Sequence, residues 1–112
     1  MEKLRIYQSG LQVTSEIYKL IAGNRNLKVD YSLCDQIKRS SISIVANIAE
    51  GYCRSKKQFK NYLQIASGSA NETVALLQII QLIYTIDTSS LQEKFKVLGR
   101  QINAFSYKLA DF

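Results

Sequence analysis

The stretch Ser41–Phe59, SISIVANIAEGYCRSKKQF, decides the fold. Its first five residues read like an edge strand, its centre holds a lone glycine, and it ends in a basic run. A strand would account only for Ser41 to Val45 and would leave Ile37 and Ile48 without a role. At helical spacing, Leu33, Ile37, Ile44 and Ile48 line one face. Ile42, Val45, Ala49 and Tyr52 line a second face, offset by roughly 100–160°. The spacing therefore predicts a helix from about Tyr31 to about Tyr52. Ser55 followed by Gln58 is a capping box, so a new helix opens directly after the turn and runs to about Tyr84. One side of it carries Phe59, Leu63, Ala66, Ala70 and Leu77, with Tyr62, Ile65, Leu76, Ile79 and Ile83 beside them.

The flanking segments follow the same logic. Leu91, Phe95, Leu98, Ile102, Phe105, Leu109 and Phe112 recur at alternating steps of four and three, an unbroken heptad seam. Thr88, Ser89 or Ser90 caps that helix, and Ser89 with Gln92 or Ser90 with Glu93 fits a capping box. Near the start, Ile6, Gly10, Val13, Ile17, Leu20 and Ile21 share one face, and the run Gly23–Asn26 ends the helix. Short connections make neighbouring helices antiparallel. Residues 1–112 are thus read as a single all-α domain, an up-down-up-down four-helix bundle. The second and third helices carry more apolar surface than a monomeric bundle needs. That surplus either forms an interface between subunits or packs beneath a neighbouring helix.

Composition limits what such a bundle does. With 112 residues, 46% hydrophobic and 21% charged, the chain suits one folded core and not a disordered tail. No apolar run reaches membrane-spanning length and the N-terminus lacks a signal-peptide core, so the expected location is the cytoplasm, away from any membrane. Cys34 and Cys53 on one helix would lie roughly 28 Å apart, too far for a disulfide, and both are expected as reduced thiols. There is no histidine, which removes His-based triads and the usual His-containing zinc sites. The "EGYC" turn has one glycine at a helix end and does not match a phosphate-binding loop. No metal, cofactor or enzymatic activity is therefore expected.

Two groups of residues stand out as candidate sites. With the hairpin turn centred near Arg54 and Ser55, Arg39 falls within reach of Glu72. Ser40 and Ser41 face Ser67–Ser69, and Asn47 faces Tyr62. Arg39, Asn47, Glu50 and Glu72 read as a polar network that sets the register, with an Arg39–Glu72 ion pair and a close helix approach at Gly68. An acid–base carboxylate pair is the competing reading, but no nucleophile accompanies it. The second group is electrostatic. The net charge is +6. One pole of the bundle gathers Lys3, Arg5, Arg54, Lys56, Lys57, Lys60 and Lys108 against Glu2, Glu50 and Asp111. The positive end of a helix dipole lies there too, with Tyr52 and Tyr62 placed to stack on an unpaired base. Such a pole suits a polyanion such as RNA or DNA; the plain alternative is a solvated turn.

The segment Asp35–Thr73, DQIKRSSISIVANIAEGYCRSKKQFKNYLQIASGSANET, resembles the core of the ribosomal-RNA intervening-sequence protein family, also called the four helix bundle protein family. The family pattern is matched through Asp35, Gln36, Ile37 and Arg39, through Ser43, Ile44 and Asn47 to Gly51, and through Leu63, Ile65, Ala66, Gly68, Ser69 and Glu72. Val45 stands where the family commonly has proline, and Cys53 where glycine is common. The resemblance implies a four-helix bundle that assembles as a homopentameric barrel with a basic surface. It is also similar to the accessory variability determinant of diversity-generating retroelements, which binds a reverse transcriptase and nucleic acid. By that analogy Arg54, Lys56, Lys57, Lys60, Lys3 and Arg5 become candidate contacts for RNA, DNA or a polymerase. The competing expectation is a structural or protein-interaction oligomer whose charge serves solubility or an acidic partner.

Overall fold

Five helices account for most of the described residues, and side-chain caps open two of them. The computed structural model describes residues 1–109. The helices are α1 (Glu2–Ala22), α2 (Arg25–Lys28), α3 (Tyr31–Tyr52), α4 (Lys56–Tyr84) and α5 (Ser89–Lys108). The stretch that posed the opening choice is helix, turn and helix. Ser55 caps α4 by accepting the Gln58 N–H, and α3 is capped by Asp30, whose carboxylate accepts the Leu33 N–H at 3.2 Å. Before α5 the side chain of Asp87, not a serine of the capping boxes, accepts the Ser89 N–H at 3.0 Å. Thr88 turns inward instead, giving its hydroxyl to the Leu77 carbonyl.

The four long helices pack as an antiparallel bundle about 48 Å long. Helix α1 lies between α3 and α5, and α4 closes the other side against the same two helices. The pairings Thr14–Ser41 and Lys3–Tyr52 fix α1 antiparallel to α3. Lys94–Glu16 and Lys108–Glu2, each 2.8 Å, do the same for α5 and α1. The core contains the faces that the periodicity selects, namely Ile6, Val13, Ile17 and Ile21; Ile37, Ile44 and Ile48; Phe59, Leu63, Ala66, Ala70 and Leu77; Phe95, Leu98 and Ile102. It also takes in Leu27, Cys34, Val74 and Ile80, and Leu76, which the spacing places on the surplus face of α4. Phe112, the last member of the α5 seam, lies outside the described residues, as does Asp111.

The short helix α2 was not anticipated from the "GNRN" run. It forms because Leu27, fully buried, pulls the connection onto the bundle, while Asn24 donates its side-chain amide to the Leu20 carbonyl at 2.7 Å. Asp30 ties this corner to α4 by accepting the Tyr84 hydroxyl at 2.6 Å.

The register of the α3–α4 hairpin differs from the sequence expectation. Ser43 and Ser69 share a hydrogen bond of 2.9 Å, and Ser40 and Thr73 one of 2.8 Å. Facing residue numbers therefore total 112 or 113, which centres the turn near Lys56, about half a helical turn later than read from the sequence. The serines do meet small polar residues, but the expected Arg39–Glu72 ion pair is absent among the described residues, and both side chains are exposed. Gly68 is likewise not a contact within the chain: a Cβ there would have no neighbour within 4 Å. The close approaches are at other glycines. A Cβ on Gly51 would stand 2.7 Å from the Tyr62 Cβ, and one on Gly10 would stand 2.6 Å from the Val45 Cγ1. Val45, where proline is common, thus packs over a bare patch of α1 in an uninterrupted α3.

Candidate nucleic-acid interface

The basic pole anticipated from the sequence is assembled in space from three chain segments. The start of α1, the α3–α4 turn and the end of α5 meet there. Lys108 pairs with Glu2, Phe59 packs edge-on against Phe105 at 5.8 Å, and the Lys3 ammonium sits 4.5 Å from the centre of the Tyr52 ring. Arg54, Lys56 and Lys57 are exposed at the hairpin tip, with Lys60 half-buried one turn into α4 and Arg5 exposed on α1. The first turn of α4 contains no acidic residue, so its unpaired N–H groups and dipole add positive potential beside Lys56 and Lys57.

Internal pairing divides these cations into two groups. Arg54 is bonded to Glu50 one turn before it, and its guanidinium also lies 5.8 Å from the Tyr62 ring centre. The hydrogen bond to Glu50, aided by the nearby tyrosine, raises the Arg54 pKa further above its already high range, so its charge is permanent. Lys108 is likewise neutralised by Glu2. Arg5, Lys57 and Lys60 have no carboxylate within ion-pair distance among the described residues. The pole is therefore less uniformly positive than a residue count implies, with its open charge at Lys57 and Lys60 on α4 and at Arg5 on α1.

The aromatic residues are also partly engaged. Tyr52 is half-exposed and stands edge-on to Phe59 at 6.4 Å, with Lys3 over one face. Tyr62 is half-buried against Gly51. Sequence reasoning missed the Lys3–Tyr52 stack and an apolar groove beside it, about 320 Å³, lined by Met1, Leu4, Tyr7, Ile48, Ala49 and Tyr52. The available signal was Leu4, which falls off the heptad of α1 yet is large and apolar.

The four residues of the expected polar network are not gathered. Asn47 donates to the Ser43 carbonyl and hydroxyl within α3, Glu50 serves Arg54, and Arg39 and Glu72 face solvent. Among the described residues there is no group of three or more Cys, Asp or Glu side chains spaced to hold a metal ion, and no helix long and apolar enough to cross a membrane. Both cysteines are free thiols: Cys34 is buried and donates to the Leu27 carbonyl, and burial raises its pKa, whereas Cys53 is exposed at the tip.

Fold and site together define an all-α helical-bundle protein with a basic pole built around an α-hairpin tip. Residues 2–106 match the model of the 23S rRNA-intervening sequence protein family, and the chain belongs to that family. A solved structure of a protein of unknown function from the S23 ribosomal protein family of Bacteroides thetaiotaomicron VPI-5482 is similar over its whole length. It shares 27% identity with a TM-score of 0.76, and the alignment covers 100% of both chains. A comparison with curated proteins finds no match.

Proposed function

We propose that the chain is a non-enzymatic nucleic-acid-binding accessory protein that works as a homo-oligomer in the cytoplasm. The observation that carries this reading is the convergence of cations from three segments on one pole, with Lys56 and Lys57 in the acid-free first turn of α4. Lys56, Lys57, Lys60 and Arg54, the last held in place by Glu50, would contact phosphates, with Arg5 and the N–H groups of α4 adding to them. Contacts of this kind give affinity with little sequence discrimination. The family's description as a 23S rRNA-intervening sequence protein is consistent with an RNA setting. A reverse transcriptase as protein partner is carried by the resemblance to retroelement accessory proteins alone, and co-purification from cells expressing both proteins tests it.

The test of the binding claim is replacement of Arg54, Lys56, Lys57 and Lys60 together by Ala, with binding to structured RNA and duplex DNA compared at equal ionic strength. A loss of tenfold or more supports the reading; unchanged binding removes the tip from it. The exposed apolar residues of α3 and α4 favour a second reading, a protein-interaction oligomer without nucleic acid. That reading gains if the wild-type protein self-associates yet binds neither polymer at low salt. The homopentameric barrel implied by the family resemblance is the specific assembly proposed, and native mass spectrometry counts its subunits.

A further inference from the structure

Helices α3 and α4 each bear a second heptad seam that faces away from the core of the chain. On α3 it is Arg39, Ile42, Ala46 and Ala49; on α4 it is Ile65, Gly68, Glu72, Ala75, Ile79 and Leu82. Every one of these residues is exposed, with Leu82 at 83% and Ile65 at 53%. Steps of three and four sustained over several turns are the pattern by which one helix seats against another, and within the chain nothing seats here. Gly68 sharpens the point. Glycine inside a helix is unfavourable, and this one gives no close approach within the chain, since a Cβ on it would meet open space.

Each seam is interrupted by one charge, and the two charges are opposite. Arg39 on α3 and Glu72 on α4 have no ion-pair partner among the described residues. We infer that the α3 seam of one copy packs on the α4 seam of a second copy, with Arg39 paired to the second copy's Glu72. The inference rests on the self-association proposed above and names the surfaces that make it.

Size complementarity agrees with the charges. With Arg39 set beside Glu72 of the second copy and the helices parallel, Ile42 falls against Ala75, Ala46 against Ile79 and Ala49 against Leu82. With the helices antiparallel, Ile42 falls near Gly68 and Ala46 against Ile65. In both directions a large residue meets a small one, which permits close packing of the two helices. The side chains that would be covered include Ile42, Ile65, Ile79 and Leu82, all large, apolar and exposed in the single chain.

The test uses the full chain with charge reversals and measures association by sedimentation velocity over a concentration series. Arg39→Glu and Glu72→Arg are each expected to weaken self-association about tenfold or more, by setting like charges opposite each other. The double variant is expected to recover it. Mixing the two single variants is expected to give mixed assemblies, which a pairing confined to one chain would not produce. Gly68→Leu is expected to leave the fold intact by circular dichroism yet prevent assembly. A wild-type protein that stays monomeric overturns the self-association reading and this inference with it. A wild-type oligomer that all of these variants leave unchanged overturns the seam pairing alone.

Discussion

Replacing Gly51 by Ala should destabilise the protein, although alanine is the better helix former. Gly51 is the penultimate residue of α3, and it lies where α3 crosses the first turns of α4. The propensity gain from Gly to Ala is at most about 1 kcal/mol and is smaller this close to a helix end. Against it stands overlap: the new Cβ would lie 2.7 Å from the Tyr62 Cβ and 2.9 Å from the Phe59 Cδ1. The first of these atoms is rigidly attached to the α4 backbone, so relief requires the two helices to move apart. Overpacking of that kind costs about 1–3 kcal/mol, leaving a net loss of about 1–2 kcal/mol. For a domain of this size the midpoint of thermal unfolding should fall by roughly 5–10 °C. Because the contact is with Cβ, the penalty should persist on a Tyr62→Ala background. Thermal melts at one fixed protein concentration provide the assay. A Gly51→Ala variant as stable as the wild type would refute the claim that this crossing depends on a bare helix surface.

Gly10→Ala should also destabilise, but here the clash is with a single methyl of Val45, so the double variant Gly10→Ala/Val45→Ala should recover part of the loss in urea titrations. Thr85, the C-terminal cap of α4, adopts a left-handed backbone with φ of 55°, and Thr85→Gly should add about 1 kcal/mol of stability, read from the same titrations. Tyr84 donates to Asp30, which raises the tyrosine pKa in the folded state. The resulting stability is complete below the pKa of an unfolded tyrosine and is lost as pH rises through the folded value. Alkaline unfolding should therefore be steeper for the wild type than for Tyr84→Phe. In native protein a thiol reagent should modify Cys53 and spare Cys34, whose pKa is raised by burial; denaturation should expose both, and equal native rates would contradict the burial of Cys34.

Most of the bundle was legible because its signals are local or periodic. The Ser55–Gln58 box, the heptad of α5 and the paired faces of α3 depend on spacing alone; the structure keeps the boundaries read for α3 and the start of α4, and ends α5 at Lys108, before the last two members of its seam. The hairpin register was not legible to the same degree, because it depends on where the turn is centred. The shift of the centre to Lys56 leaves Glu72 as near to Arg39 in register as before; the pair is absent because both side chains point into solvent. A basic pole could be foreseen because topology alone brings α1, the hairpin tip and α5 together. Its internal pairing was only partly legible: Glu50 and Arg54 stand four residues apart, the spacing of a helical ion pair, whereas the cover of Lys3 over Tyr52 joins two helices and depends on rotamers that no pattern encodes. Helix α2 was hidden for a related reason. The "GNRN" run reads as a breaker, and only the tertiary burial of Leu27 bends it into a turn of helix.

The measurement that tests the central claim most directly is the salt dependence of binding to a labelled duplex and a labelled structured RNA. Four phosphate contacts from Arg54, Lys56, Lys57 and Lys60 predict that, on duplex DNA, the logarithm of the binding constant falls with the logarithm of salt concentration at a slope of about −3 to −4 per bound subunit. A slope near that value, reduced when the four residues are Ala, is the result the account predicts. Binding that ignores salt, or no binding at low salt, would contradict it.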